Sequence, residues 1–300
     1  MLGVGAMGRL HARVFAQLGE DFSLVGVFDP DAEAAHEAAL SWSVEAFEGE
    51  SEAVAAADLV VVASPIEAHV GAARRALARG RHLLVEKPLC ATAAQAFGLA
   101  RSLGRGQRLF VGHSERYNPV VRALRAILRP GEIRTLRLRR TSAVSRAGRE
   151  RGALISLGVH DIDLAAYLTS SPVALREALH VDDDRADLVL GVASGAVAWV
   201  HVDRCAERRE RLIEIVTEDA VYSGDLLERT LTVRRLATGT STACELVDEE
   251  ALVAQARAIA RALAGSEEEV ASGVDGARAL LVVEQASQRT GVDRSLALGA

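Results

Sequence analysis

The chain predicts an α/β protein: an N-terminal Rossmann-type parallel sheet, then a C-terminal α+β domain with a mainly antiparallel sheet. Three observations carry that expectation. Short apolar runs at residues 24–28, 59–63, 83–85 and 109–111 alternate with amphipathic stretches at 7–18, 67–78 and 93–103. Alternation of that kind builds a parallel sheet covered on both faces by helices. Gly3, Gly5 and Gly8 form a GxGxxG turn opening a helix, the pattern of a dinucleotide-binding strand–turn–helix. After Pro119, apolar runs follow one another without crossover helices, which is the grammar of antiparallel or mixed sheets.

In order, the second half reads as a helix at 120–128, a Pro130-Gly131 break and a strand at 133–141. A Gly- and Arg-bearing loop and a helix at 152–168 come next. Strands are expected at 188–192, 196–202, 212–216 and 231–235, with turn signals at Ser194-Gly195 and Glu218-Asp219. Helices at 249–263 and 275–288 close the chain. A length of 300 residues suits two domains, each with its own core. The expected division is 1–118, dinucleotide-binding, and 119–300, substrate-binding and oligomerising, with the last helix packing back on the first domain.

Composition narrows the function. With 49% hydrophobic and 25% charged residues, the chain is neither disordered nor fibrous. No apolar run approaches the roughly 20 residues that cross a bilayer. Charge, apolar core and cleavage site do not occur in signal-peptide order, so a cytoplasmic location is expected. Cys90, Cys205 and Cys244 are odd in number and lack metal-ligand spacing, which reads as a reduced chain without metal. A net charge of −6 argues against a nucleic-acid surface.

In the glycine turn, Gly3 permits the tight bend, Gly5 the approach of backbone to a pyrophosphate, and Gly8 close helix–strand packing. Ala6 and Met7 open the helix, whose N-terminus faces the phosphates. Asp29 follows the next apolar run, where an acid binds both ribose hydroxyls and repels a 2′-phosphate, so NAD is expected over NADP. A helix cap is the competing role for Asp29. Only Met1 and Leu2 precede the turn, where the fold needs a strand, and the first strand therefore reads as truncated, with the true start upstream.

Of 35 basic residues, Lys87 is the one lysine. Arginine keeps its proton at ordinary pH, whereas a lysine can titrate when desolvated, so a solitary lysine marks a position needing that amine. Lys87 stands in Glu86-Lys87-Pro88 at the carboxyl end of an expected strand, where ligands bind in parallel sheets. Together with GVGAMGxxH (residues 3–11), SPxxxH (Ser64, Pro65 and His69) and GVHDIDL (158–164), this resembles the Gfo/Idh/MocA family of sugar and inositol dehydrogenases. The likeness runs to the closing helix at 276–291. GHSERYNPVVRAL (112–124) is most similar to the family's UDP-N-acetylglucosamine 3-dehydrogenases.

The resemblance implies an NAD-dependent oxidoreductase moving a hydride between a sugar ring carbon and nicotinamide, with a UDP-N-acetylhexosamine oxidised at C3 as the leading substrate. The alternatives are an inositol or free-sugar dehydrogenase, or a non-catalytic binder of NAD and sugar nucleotides. Lys87 and His160 are the implied catalytic pair, since alcohol oxidation needs a base for the hydroxyl proton. Ser64, Pro65, His69 and Glu86 join the cofactor set, with packing on the sheet the competing role for His69. Lys87, Arg116, Asn118, Arg146, Ser156 and His160 form the implied substrate set. A domain hinge is the competing role for Arg116 and Asn118. Arginine forks at 146, 149 and 151 suit a diphosphate. Ser156 stands four residues before His160, where the family commonly has aspartate. Asp161 and Asp163 read as packing or capping residues, and a homodimer or homotetramer is expected.

Overall fold

A computed structural model describes residues 1–142 and 152–289. Its chain forms two compact units, Met1–Ser114 with Leu252–Ala277, and Glu115–Ala251 with the chain from Arg278 onward. The first unit thus takes in 26 residues from late in the sequence, a segment that periodicity alone does not assign to either half.

In the first unit, β1 (Gly26–Val27) pairs in parallel with β2 (Glu45–Ala46), and β3 (Leu59–Val62), β4 (His82–Val85) and β5 (Leu109–Val111) form a parallel ladder. Met1 and Leu2 stand where the strand before the glycine turn is expected. Leu2 bridges to Phe28 on one side and Val62 on the other, through Phe28 N–H to Met1 O, Leu2 N–H to Val61 O and Ala63 N–H to Leu2 O, each 2.8 Å. These bonds join both ladders into one sheet. On its far edge Ser272 bridges antiparallel to Phe110, and Val111 N–H donates to Ala271 O.

Helices α1 (Ala6–Gln17), α2 (Ala32–Trp42), α3 (Glu50–Ala55), α4 (Ile66–Ala78) and α5 (Ala93–Arg101) alternate with these strands. Their starts follow local chemistry. Asp31 caps α2 by accepting the Glu33 and Ala34 N–H groups, and Thr92 with Gln95 forms a reciprocal capping box on α5. One core joins Val4, Ala12, Phe15, Val27, Val61 and Leu84 to Ile259 and Ala262 of α8 (Ala251–Leu263). A fully buried side chain of the Ile259 kind contributes about 1.5–3 kcal/mol by leaving water.

The second unit is built on an eight-stranded sheet. Its strands are β6 (Thr135–Thr141), β7 (Val173–Val181), β8 (Arg185–Val192), β9 (Val197–Asp203), β10 (Glu210–Val216), β11 (Ala220–Asp225), β12 (Thr230–Arg235) and β13 (Ser241–Ala243). Their order is β13-β12-β11-β10-β6-β9-β8-β7, antiparallel except for the central β6–β9 pair. One face carries Leu136, Leu138, Ala198, Val200, Ile213 and Ile215 into a core shared with α6 (Pro119–Ile127), α7 (Val159–Thr169) and the later turns of α9 (Gly273–Arg289). The other face is laced with charge: Arg137 to Glu214, Arg139 to Glu210 and Asp187 to His201, with Arg137 lying over the Trp199 ring.

The helix expected at 152–168 divides. Leu154–Gly158 winds as a π-helical turn and α7 begins at Val159, an insertion of the kind that re-aims side chains near functional sites.

Candidate active site

At the start of α1 the helix is capped by Gly5 with no side-chain hydrogen bond, and no acidic residue stands in its first turn. The turn has no room for side chains at its base. A Cβ on Gly3, whose φ is +90°, would lie 2.7 Å from Ser64 N, and one on Gly8 would lie 2.0 Å from Gly3 O. Nothing lies within 4 Å of the corresponding position on Gly5, and Gly5 and Ala6 are exposed. A helix N-terminus with open space before it, uncovered by its own side chains, fits a dinucleotide pyrophosphate. Asp29 closes the turn from the next strand: Oδ2 accepts the Val4 N–H at 2.9 Å and Oδ1 the Asp31 N–H at 3.0 Å. Its half-buried carboxylate is therefore held by backbone at the edge where a ribose would lie.

Ser64 and Pro65 form the turn from β3 into α4, with Pro65 as its N-cap. The Ser64 Oγ is buried and has no hydrogen-bond partner among the described residues. His69 is 2% exposed, with Nε2 2.8 Å from Ser64 O and Nδ1 3.2 Å from Pro88 O. Its ring ties the Ser64 turn to the Lys87-Pro88 turn from inside the unit. Burial holds its imidazole below the usual value, against the pull of those carbonyls.

Lys87 is half-buried just beyond β4. Glu86 beside it is 5% exposed, with Oε1 2.7 Å from His11 Nε2 and Oε2 accepting the Lys87 N–H at 3.0 Å. Burial acts to raise the Glu86 carboxyl, but the His11 hydrogen bond and charge, with the Lys87 ammonium and N–H, outweigh it and hold the group below its ordinary range. His11 is the residue that sequence reasoning passed over, treating it as one letter of a motif. The signal was available: on α1 it falls among Ala12, Val14 and Phe15 on the buried face, and a buried imidazole requires a polar partner.

In the second unit, His160 is half-buried in the first turn of α7. Ser156 lies in the π-helical turn, its hydroxyl donating to Gly152 O at 3.0 Å and lying 3.4 Å from Arg204 Nη2. Asp161 and Asp163 are buried ion-pair partners. Arg140 reaches both Asp161 oxygens, at 2.7 and 3.1 Å, and Glu115 at 3.0 Å, and Arg211 meets the same Glu115 oxygen at 2.6 Å. Two cations and two carboxylates thus balance in one cluster.

Arg116 is 5% exposed and paired with Asp163. Asn118 caps α6 by accepting the Val120 N–H and donates to Leu226 O. Their side chains serve these internal bonds. Arg146, Arg149 and Arg151 lie outside the described residues.

Comparison with known proteins bears on the whole chain. The sequence pattern of an oxidoreductase family with an NAD-binding Rossmann fold, Gfo/Idh/MocA, matches residues 1–113, and that family's C-terminal domain matches residues 121–223. UDP-N-acetylglucosamine 3-dehydrogenase of Acidithiobacillus ferrooxidans is 29% identical over 302 residues, covering 95% of this chain and 94% of that protein. A solved structure of that enzyme superposes with a TM-score of 0.85 at 28% identity, over 95% of this chain and 94% of the other. Inositol 2-dehydrogenase of Rhizobium meliloti is 27% identical across 69% of this chain and 68% of its own. No described helix is long and apolar enough to cross a membrane. With its glycine turn, buried Glu86 and terminal Lys87 set on one parallel sheet, the chain belongs to the Gfo/Idh/MocA family and is an NAD-dependent oxidoreductase.

Proposed function

We propose that this oxidoreductase is a dehydrogenase of a nucleotide-linked N-acetylhexosamine, with UDP-N-acetylglucosamine oxidised at C3 as the leading substrate. Full-length similarity to an enzyme of that name supports the reading. The glycine turn holds the cofactor phosphates and Asp29 the ribose. When bound, NAD would supply the hydride acceptor. Lys87, at the ligand edge of its sheet, takes up the proton of the reacting hydroxyl, and His160, at the start of α7, is the second residue that the family resemblance marks for catalysis. Ser156 hydrogen-bonds a sugar hydroxyl through its Oγ. A cytoplasmic location and assembly as a homodimer or homotetramer belong to the same reading.

The deciding experiment mixes the protein with NAD and UDP-N-acetylglucosamine and follows reduced nicotinamide by absorbance, beside Lys87→Met. Absorbance that rises in the parent and is lost in the variant supports the reading. If myo-inositol or a free sugar raises it and the nucleotide sugar does not, the substrate assignment is wrong. If NAD binds and none of these is oxidised, the enzymatic reading itself gives way to a binding role.

A further inference from the structure

Glu86 occupies an unusual position for a carboxylate. It is 5% exposed, and no room for a side chain exists beneath it: a Cβ on Gly112 would fall 2.6 Å from Oε1 and 2.7 Å from the carboxyl carbon. Gly112 follows β5, and its N–H donates to Val85 O at 2.8 Å, so the backbone presses against the carboxylate from the neighbouring strand. On the other side stands the His11 imidazole, 2% exposed and 2.7 Å away. His11 lies on α1, within one turn of Gly8. The second carboxylate oxygen takes the Lys87 N–H. A chain of contacts therefore runs from the helix that follows the glycine turn, through one imidazole and one carboxylate, to the peptide of Lys87.

A buried ionised carboxylate is costly unless its oxygens are satisfied, and here each has one designated donor. Packing alone would be met by an apolar residue at position 86, without the need for glycine at 112. Retaining charge in so tight a space points to a role for the charge. The groups around it are His11, the Lys87 ammonium and, more distantly, His69.

We propose that His11 is a positioning residue for the reaction: its imidazole holds the Glu86 carboxylate, and that carboxylate fixes the Lys87 turn and keeps a negative charge beside the Lys87 amine. The assignment rests on the reading of Lys87 as a substrate contact. It makes the phosphate-facing helix and the Lys87 turn one mechanical piece. It also gives Lys87 a fixed counter-charge that stabilises the ammonium formed once the amine has taken the hydroxyl proton.

Lys87 is the only lysine in the chain, so reductive methylation with ¹³C-formaldehyde labels a single side-chain amine, and NMR reads its titration directly. The parent is compared with His11→Leu, His11→Gln and Glu86→Gln, and turnover is measured on unlabelled protein. Without a donor, the buried Glu86 takes up a proton and the counter-charge disappears. His11→Leu and Glu86→Gln are therefore expected to lower the Lys87 midpoint by about half a pH unit or more. kcat is expected to fall about tenfold, with KM for NAD changed less than about threefold. His11→Gln, whose amide can donate to the same oxygen, restores both. An unchanged lysine midpoint in folded His11→Leu overturns the proposal, as does His11→Gln behaving like His11→Leu. Failure of both His11 variants to fold shows the bridge to be structural only and also overturns it. The lysine titration needs no substrate, so a shifted midpoint in a protein that oxidises no sugar separates this proposal from the assignment of the reaction.

Discussion

Arg116 grips Asp163 with both arms of its guanidinium: Nε–H donates to one carboxylate oxygen at 2.8 Å and Nη2–H to the other at 2.6 Å. The side chains are 6% and 3% exposed, and the guanidinium lies over the Tyr167 ring at 4.9 Å. Planar bidentate geometry with an aromatic face is a use that arginine serves and lysine does not. Removing one partner leaves a buried charge unmatched. Asp163→Ala is therefore expected to lower the unfolding free energy by about 3–5 kcal/mol, measured by urea denaturation. The double variant Arg116→Met with Asp163→Leu is expected to recover most of that loss. A double variant as unstable as the single one would show that the pair is needed for more than mutual neutralisation.

The glycine turn separates folding from binding. Gly8→Ala places a methyl group 2.0 Å from Gly3 O and is expected to destabilise the protein by several kcal/mol, of order 3. Gly5→Ala meets nothing within 4 Å and is expected to change stability by less than about 1 kcal/mol. It is nonetheless expected to weaken NAD binding about tenfold or more, because on the proposed reading the added methyl enters the space a pyrophosphate would take. Thermal melts beside NADH fluorescence titrations measure both effects.

Asp29 holds the Val4 backbone N–H and, on the proposed reading, the ribose. Asp29→Ala is expected to cost about 1–2 kcal/mol of NAD binding. Loss of the carboxylate also removes repulsion toward a 2′-phosphate, so the ratio of NADP to NAD affinity should rise. Titrating both nucleotides against parent and variant checks the two effects separately.

His69 gives stability a pH dependence with a definite sign. Burial depresses its folded-state imidazole below the usual value. The unfolded chain takes up a proton as pH falls through about 6.5, and the folded chain only at lower pH. The stabilisation is present above the unfolded value and is lost as pH falls through the folded one. Urea midpoints at about pH 7.5 and 5.5 should differ more in the parent than in His69→Gln, whose amide does not titrate. Equal slopes in the two proteins would assign the acid loss to other groups.

The parallel ladder was legible because β3, β4 and β5 are short, apolar and separated by helical periodicity, and their expected positions match to within a residue. Edge strand β7 escaped notice for a physical reason. Register shifts between Leu175 and Glu177 and between Ala178 and His180 break the period-two pattern. β11 ends in Ser223-Gly224-Asp225, which reads as a turn, yet Gly224 packs against Val120 and Ile213 where a side chain would collide. Within the site, sequence spacing placed the glycines, Asp29 and Lys87 at one sheet edge. It could not show that Asp161 and Asp163 are matched by arginines distant in the chain, because ion pairs across elements leave no periodicity. The π-helical turn before α7 likewise left no mark on an otherwise helical pattern.

Residues 252–277 supply α8 to the core of the first unit, and with Ala271 and Ser272 they edge β5. Some 250 residues separate the glycine turn from the segment that edges its sheet, so translation must run that far past the turn before the sheet acquires this edge. A message cut short before residue 252 would release a chain bearing every glycine of the turn on a sheet with an open flank, a ready template for pairing with other chains. Quality control of this protein thus turns on one segment distant in sequence from the motif it completes, which decides whether that motif becomes a pocket or an aggregation seed.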